Sequence, residues 1–257
     1  MGRRKEVLDK AVAQLKAEGI KAFAVRGDVR KPGEVASAVA NAVNEMGGLD
    51  ILVNGAAGNF LATAEGLRPG GFRTVMEIDA IGTFNMCHAC HDQLRKSGDG
   101  VILNISANLH LPATWYQIHA SAAKAAVDSM TRSLALEWGT YKIRSVGIAP
   151  GPIEGTPGLK KLAPGANKDA VKKMVQGMIP LGRLGQSVDI GYAAVRFFPG
   201  ASGADLTETS PLPLPQVFLC SPSASFISGS TLLVDGAQWL YQNQPVPRAL
   251  VNRVQYT

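Results

Sequence analysis

Three things this chain of 257 residues has little of narrow its class before any motif is read. It has no long hydrophobic run: its apolar stretches are short and broken by polar residues, whereas a bilayer span needs about 20 consecutive ones. Its opening, MGRRKEVLDK, carries charge but no apolar core of a secretory leader, so a non-secreted chain is expected. Its three cysteines are too few for a disulfide framework and fit a reducing interior. Two of them fall in CHACH (87–91), the Cys-x-x-Cys-His pattern of covalent haem attachment. That match lies mid-helix in IGTFNMCHACHDQLRK, with no leader for export and no second Cys-x-x-Cys for a metal, and it is read as coincidence. The sequon Asn104-Ile-Ser106 ends an expected buried strand and is set aside in the same way.

The composition, 46% hydrophobic and 18% charged, suits one soluble α/β domain over residues 1–257, with 241–257 as a tail. Part of the +6 net charge clusters in LKKLAPGANKDAVKKM (159–174), either a basic face for a phosphate-bearing substrate or an ordinary solvated helix face. Hydrophobic periodicity predicts helices at 5–19, 33–46, 70–97 and 118–138. Strands are expected at 21–29, 49–58, 100–106, 143–152 and 230–237. Strands alternating with helices mean a doubly wound parallel sheet, with ligands at the strands' carboxyl ends.

Two places break this rhythm. A dinucleotide fold opens with strand, glycine-rich turn and helix, because the turn's N–H groups and the helix N-terminus cradle a pyrophosphate. No such turn precedes the first helix. Residues 196–216, RFFPGASGADLTETSPLPLPQ, have no periodicity and interrupt a helix that DIGYAAV and VFLCSPSASFISG would otherwise form together. Both are expected to mark an incomplete or mis-spliced gene model.

Chemistry gathers at the strand ends. NGAAGNF (54–60) closes a buried strand with a glycine turn that lets the backbone approach a ligand, placing Asn59 and Phe60 at the mouth. APGPIEGT (149–156) forms an open turn whose amides could hold a carboxamide. Asp28 ends another strand and could accept from an adenine amino group. Lys124 opens an apolar stripe of Val127, Met130, Leu134 and Trp138 in WYQIHASAAKAAVDSMTRSLALEW (115–138).

With GDVRK (27–31), ILVNGAAGNF (51–60), FRTVMEIDAIGTFN (72–85), the Lys124 helix and IAPGPIEGTPG (148–158), the chain resembles the short-chain dehydrogenase/reductase family from residue 1 to about 240. More closely it is similar to the peroxisomal 2,4-dienoyl-CoA reductases. The resemblance implies a Rossmann-like sheet lacking its first two strands here, and a chain that binds NADPH poorly as written. It implies that Arg3 and Arg4 meet the cofactor's 2′-phosphate, that Asp28 and Val29 meet its adenine, and that Asn54 meets its ribose region. Lys124 would hold the nicotinamide ribose, and Pro150, Gly151, Pro152, Ile153 and Thr156 the nicotinamide. Arg30, Phe60, Arg68 and Lys161 would contact the acyl-CoA. A homo-oligomer in the peroxisome is also implied, although the chain ends VNRVQYT rather than in a Ser-Lys-Leu address, without which it would be cytoplasmic. No nucleic acid, metal or membrane insertion is expected.

Three departures from the family pattern select the reaction. The family tyrosine four residues before the lysine is Ala120, its serine is Ala107 with Ser106 one place off, and its helix asparagine is Asp79. Hydride addition to C=O puts a full charge on oxygen that needs a proton at once. Reduction of a conjugated dienoyl thioester spreads the charge to the thioester oxygen and protonates carbon later. The expected roles are therefore Lys124 for positioning, Asn59 for donation to the thioester oxygen, and Asp79 for ordering a water that protonates the α-carbon. Asp79 paired with the lysine could instead be a structural ion pair, with His119 and Tyr116 as alternative acids. A ketoreductase of another carbonyl substrate, or an inactive truncated isoform, are the other readings.

Overall fold

The computed structural model describes residues 1–156, 168–194, 219–221 and 224–241. Its helices are α1 (Lys5–Ala17), α2 (Pro32–Met46), α3 (Pro69–Met76), α4 (Gly82–Ser97), α5 (Ile118–Trp138), α6 (Lys168–Gly177) and α7 (Ser187–Ala194). Its strands are β1 (Ile51–Asn54), β2 (Gly100–Ile105), β3 (Ile143–Pro150) and β4 (Thr231–Val234). All pair in parallel in the order β1-β2-β3-β4, with Leu52 beside Ile102 and Leu103 beside Val146.

The sheet is central because β2 and β3 carry apolar residues on both faces, and both faces must be covered. Leu52, Ile102 and Ile143 pack with Val39 of α2 and with Cys87, Cys90 and Leu94 of α4; Leu134 and Trp138 of α5 lean on the same cluster. On the other face Val101, Leu103, Val146 and Ile148 pack with Leu219, and Ile190 and Ala193 of α7 lean on them. Pro32 at the first turn of α2 and left-handed Gly47 just past its end punctuate that helix as expected of those residues.

The alternation is as expected, with three corrections. Residues 21–29 run without a ladder and hold only an isolated bridge between Gly2 and Arg26. A strand exists by pairing, and β1 lies across a groove from this segment rather than beside it. The expected helix 70–97 is divided by a π-helical turn, Glu77–Ile81, between α3 and α4. The expected strands 49–58, 143–152 and 230–237 are shorter ladders, because the turns that follow them leave the sheet. The segment 196–216 and residues 242–257 of the expected tail lie outside the described residues.

Candidate active site

The carboxyl ends of β1 and β2 face the start of α5, and the π-turn brings a carboxylate to the same place. A π-turn inserts one extra residue per turn and re-aims the side chains around it. Here it turns Asp79, only 1% exposed, toward Lys124. The Lys124 ammonium donates to the Ile105 carbonyl at 2.9 Å and lies 3.3 Å from Asp79 Oδ2. The Gly58 N–H donates to Asp79 Oδ1 at 2.7 Å, so the glycine turn after β1 grips the carboxylate from the other side. Burial pushes the Asp79 carboxyl above the usual carboxylate range, against the opposing pull of Lys124 and the Gly58 N–H.

Above this pair lies the loop after β1. The Asn59 amide nitrogen donates to Gln117 Oε1 at 2.6 Å, and its Oδ1 is buried without a hydrogen bond. Phe60 stacks on His119, ring centroids 4.2 Å apart. His119 is fully buried, neither ring nitrogen has a hydrogen bond, and burial holds its pKa below the usual value, favouring the neutral imidazole. Ala120 is buried beside it with no polar group to offer. Among the described residues, seven bury side-chain polar atoms without a hydrogen bond. Four of them, Asn59, Asp79, Ser106 and His119, belong to this region, Ser106 following directly on the carbonyl that Lys124 holds. Such groups are rare in folded proteins and mark where a water or ligand completes the set.

The structure thus brings Asp79, Lys124, Asn59 and Phe60 together. It ties Asp28 and Arg30, expected to face different ligands, to each other: Arg30 Nε lies 3.0 Å from both Asp28 oxygens and Nη2 2.5 Å from Oδ2. That pair holds the Asp28 carboxyl down at about 2. Asn54 is committed to the sheet, its amide donating to Asn104 Oδ1 at 2.8 Å and to Cys87 Sγ. Val29 packs against Gly82, and its carbonyl accepts from Asn85. The turn after β3 is braced: Gly151 N donates to the Val234 carbonyl, Ile153 bridges to Gly185, and Thr156 Oγ1 donates to the Ile153 carbonyl. Pro150 closes β3 and Pro152 accepts from Gly185 N. Arg3 and Arg4 are exposed just before α1, and exposed Arg68 precedes α3, away from the Asp79–Lys124 pair in sequence and element. Lys161 lies outside the described residues.

Sequence reasoning missed Gln117, which anchors Asn59, and Asp235, which accepts from Asn108 Nδ2 and from the Ala237 and Trp239 N–H groups beneath the β3 turn. Each acts across a long gap in sequence, and neither lies in a periodic pattern. The nearest sequence signal for Gln117 was its place immediately before the Lys124 helix.

A family model described as Enoyl-(Acyl carrier protein) reductase matches residues 2–204. The peroxisomal 2,4-dienoyl-CoA reductase [(3E)-enoyl-CoA-producing] of Arabidopsis thaliana is 48% identical over 99% of this chain and 80% of its own length. This chain belongs to the short-chain dehydrogenase/reductase family, in its 2,4-dienoyl-CoA reductase branch. A probable 2,4-dienoyl-CoA reductase [(2E)-enoyl-CoA-producing] of Bacillus subtilis is 37% identical over 93% of this chain and 85% of its own. Among solved structures, a gluconate 5-dehydrogenase from Burkholderia cenocepacia, in complex with NADP and tartrate, superposes with a TM-score of 0.78. It is 25% identical, over 94% of this chain and 85% of that one. Asp79 and Ala120 are both buried parts of this fold.

Proposed function

We propose that this chain reduces 2,4-dienoyl-CoA thioesters to 3-enoyl-CoA with NADPH, an auxiliary step in the β-oxidation of unsaturated fatty acids. The observation that carries the reading is the buried Asp79–Lys124 pair beside an alanine at position 120. Without a hydroxyl there, an alkoxide would find no adjacent acid, whereas a delocalised dienolate needs hydrogen-bond donors and a later proton on carbon. The 48% identity to a (3E)-enoyl-CoA-producing reductase supports the 3-enoyl product over the 2-enoyl one, and the relative's name supports a peroxisomal setting.

The residues fit the nicotinamide half of a dinucleotide: a buried ammonium and four residues with unbonded polar atoms lie where β1 and β2 end. Lys124 would hold the ribose, and the turn at 150–156 the ring. Arg3 and Arg4, exposed and cationic, support a 2′-phosphate and so NADPH over NADH. When bound, the reduced nicotinamide supplies a hydride.

The chain's own residues manage the charge and the proton. Lys124, held by the Ile105 carbonyl, keeps a positive charge next to the reacting carbons. The second N–H of the Asn59 amide, free of Gln117, donates to the thioester oxygen and stabilises the dienolate. Asp79, gripped by Gly58, holds a water whose proton goes to the α-carbon. Burial raises its pKa, which favours the protonated carboxyl that returns a proton to the hydroxide left behind. Incubating the chain with NADPH and 2,4-hexadienoyl-CoA tests the reading. Loss of absorbance from both, with a 3-enoyl thioester as product, is expected. A 2-enoyl product would overturn the regiochemistry.

A further inference from the structure

The rim between the loop after β1 and the loop before α5 encloses an open cavity of about 750 Å³, outside the site described above. Its walls include Ala62, Thr63, Pro112, Trp115, Tyr116 and Ile118. Trp115 is 81% exposed, and Tyr116 and Ile118 are each about half exposed. An unspecialised surface seldom displays three such residues side by side. The segment that carries them is held in an unusual shape: Ala113 (φ 84°) and Tyr116 (φ 62°) both lie in the left-handed region that non-glycine residues avoid. The two rims are tied together by the Ala62 N–H donating to the Tyr116 carbonyl at 3.0 Å.

We propose that this groove is the acyl-tail subsite, in which Trp115, Tyr116 and Ile118 cover the hydrocarbon chain of the thioester and set its preferred length. The proposal rests on the dienoyl-CoA reading above. Two observations choose the tail as the occupant. The groove adjoins the reacting site: Gln117, between Tyr116 and Ile118 in sequence, anchors Asn59, and His119, two residues further on, stacks on Phe60. Charge also selects it. Among the described residues the lining holds no cation and one acid, Glu65, which disfavours the phosphates of the CoA moiety and leaves an apolar chain as the complementary ligand.

Each methylene taken out of water is worth about fourfold in affinity, so a covered tail gives a steep length dependence. The experiment compares 2,4-hexadienoyl-CoA with 2,4-decadienoyl-CoA on the unaltered chain, Trp115→Ala and Trp115→Phe. Isothermal titration of saturated hexanoyl-CoA and decanoyl-CoA runs alongside and needs no turnover. Trp115→Ala should lower kcat/KM for the ten-carbon substrate by roughly tenfold and weaken decanoyl-CoA binding to match. It should leave the six-carbon pair within about twofold, and Trp115→Phe should recover most of the loss. Equal losses at both lengths, or no loss at ten carbons in turnover and binding, would overturn the proposal. So would a fall in native mass on Trp115→Ala, which would assign the groove to a second copy of the chain. If the unaltered chain turns over neither dienoyl substrate yet shows the length-dependent binding, the reaction reading fails and the subsite stands.

Discussion

At the scale of single residues the account rests on Asp79. Its carboxylate is buried, gripped by Gly58 and 3.3 Å from Lys124, and either a proton-handling role or a purely structural one would place it there. Kinetics separates the two. Asp79→Ala is expected to lower kcat by at least ~10²-fold, the lower end of general acid–base effects, with an unchanged circular dichroism spectrum. Unchanged turnover would reduce Asp79 to a structural ion pair. A second residue-scale prediction concerns Asp28. Arg30 depresses its folded pKa to about 2 from an ordinary 3.8, so the pair's stabilisation is fully present above 3.8 and is lost as pH falls through about 2. The gain is small because Arg30 is partly exposed, about 1 kcal/mol or less. Urea midpoints from pH 5 to pH 2.5 should therefore fall slightly less steeply in Asp28→Asn than in the unaltered chain. Asn59 was legible in sequence in a strand-end turn and Lys124 near a helix start, whereas Asp79, inside the expected 70–97 helix, stood out only as a departure from the family pattern. The Asp28–Arg30 pairing did not stand out, since spacing cannot tell whether two neighbours face a ligand or one another.

At the scale of elements, the π-turn and α4 show what periodicity conveys and what it misses. The apolar stripe identified the helix from 70 to 97, but a one-residue insertion in its hydrogen bonding leaves no mark in a hydrophobic pattern. Yet that insertion turns Asp79 to the site. In α4 the CHACH match resolves into packing: Cys87 and Cys90 are buried against Leu52 and Ile102. Among the described residues no cluster of histidines, cysteines and carboxylates could hold a metal. Burial pushes the Cys87 thiol up to about 12 and Cys90 to about 11, so neither offers a thiolate near neutrality. Ellman's reagent at pH 8 should leave both unmodified in the folded chain and label them on denaturation. Rapid labelling of the native protein at either position would contradict the packing.

Across the whole molecule, the parallel sheet followed from strand–helix alternation, and β2 and β3 are its buried centre. The segment 21–29 shows the limit of that logic. Its residues favour extended backbone, but ladder pairing depends on a neighbour, and here a groove of about 650 Å³ separates it from β1. β1 is correspondingly bare on one face, with Val53 57% exposed. The carboxyl ends of β1 and β2, with the Asp79–Lys124 pair between them and Ala120 beside it, carry the proposal that this site reduces C=C and not C=O. The most direct test measures kcat/KM for 2,4-hexadienoyl-CoA and for 3-oxohexanoyl-CoA on the same preparation at millimolar NADPH. The account predicts turnover of the dienoyl thioester and at least ~10²-fold less of the oxo thioester, the cost of a missing acid at the alkoxide. Preferred turnover of the oxo thioester, or turnover of neither, would contradict it.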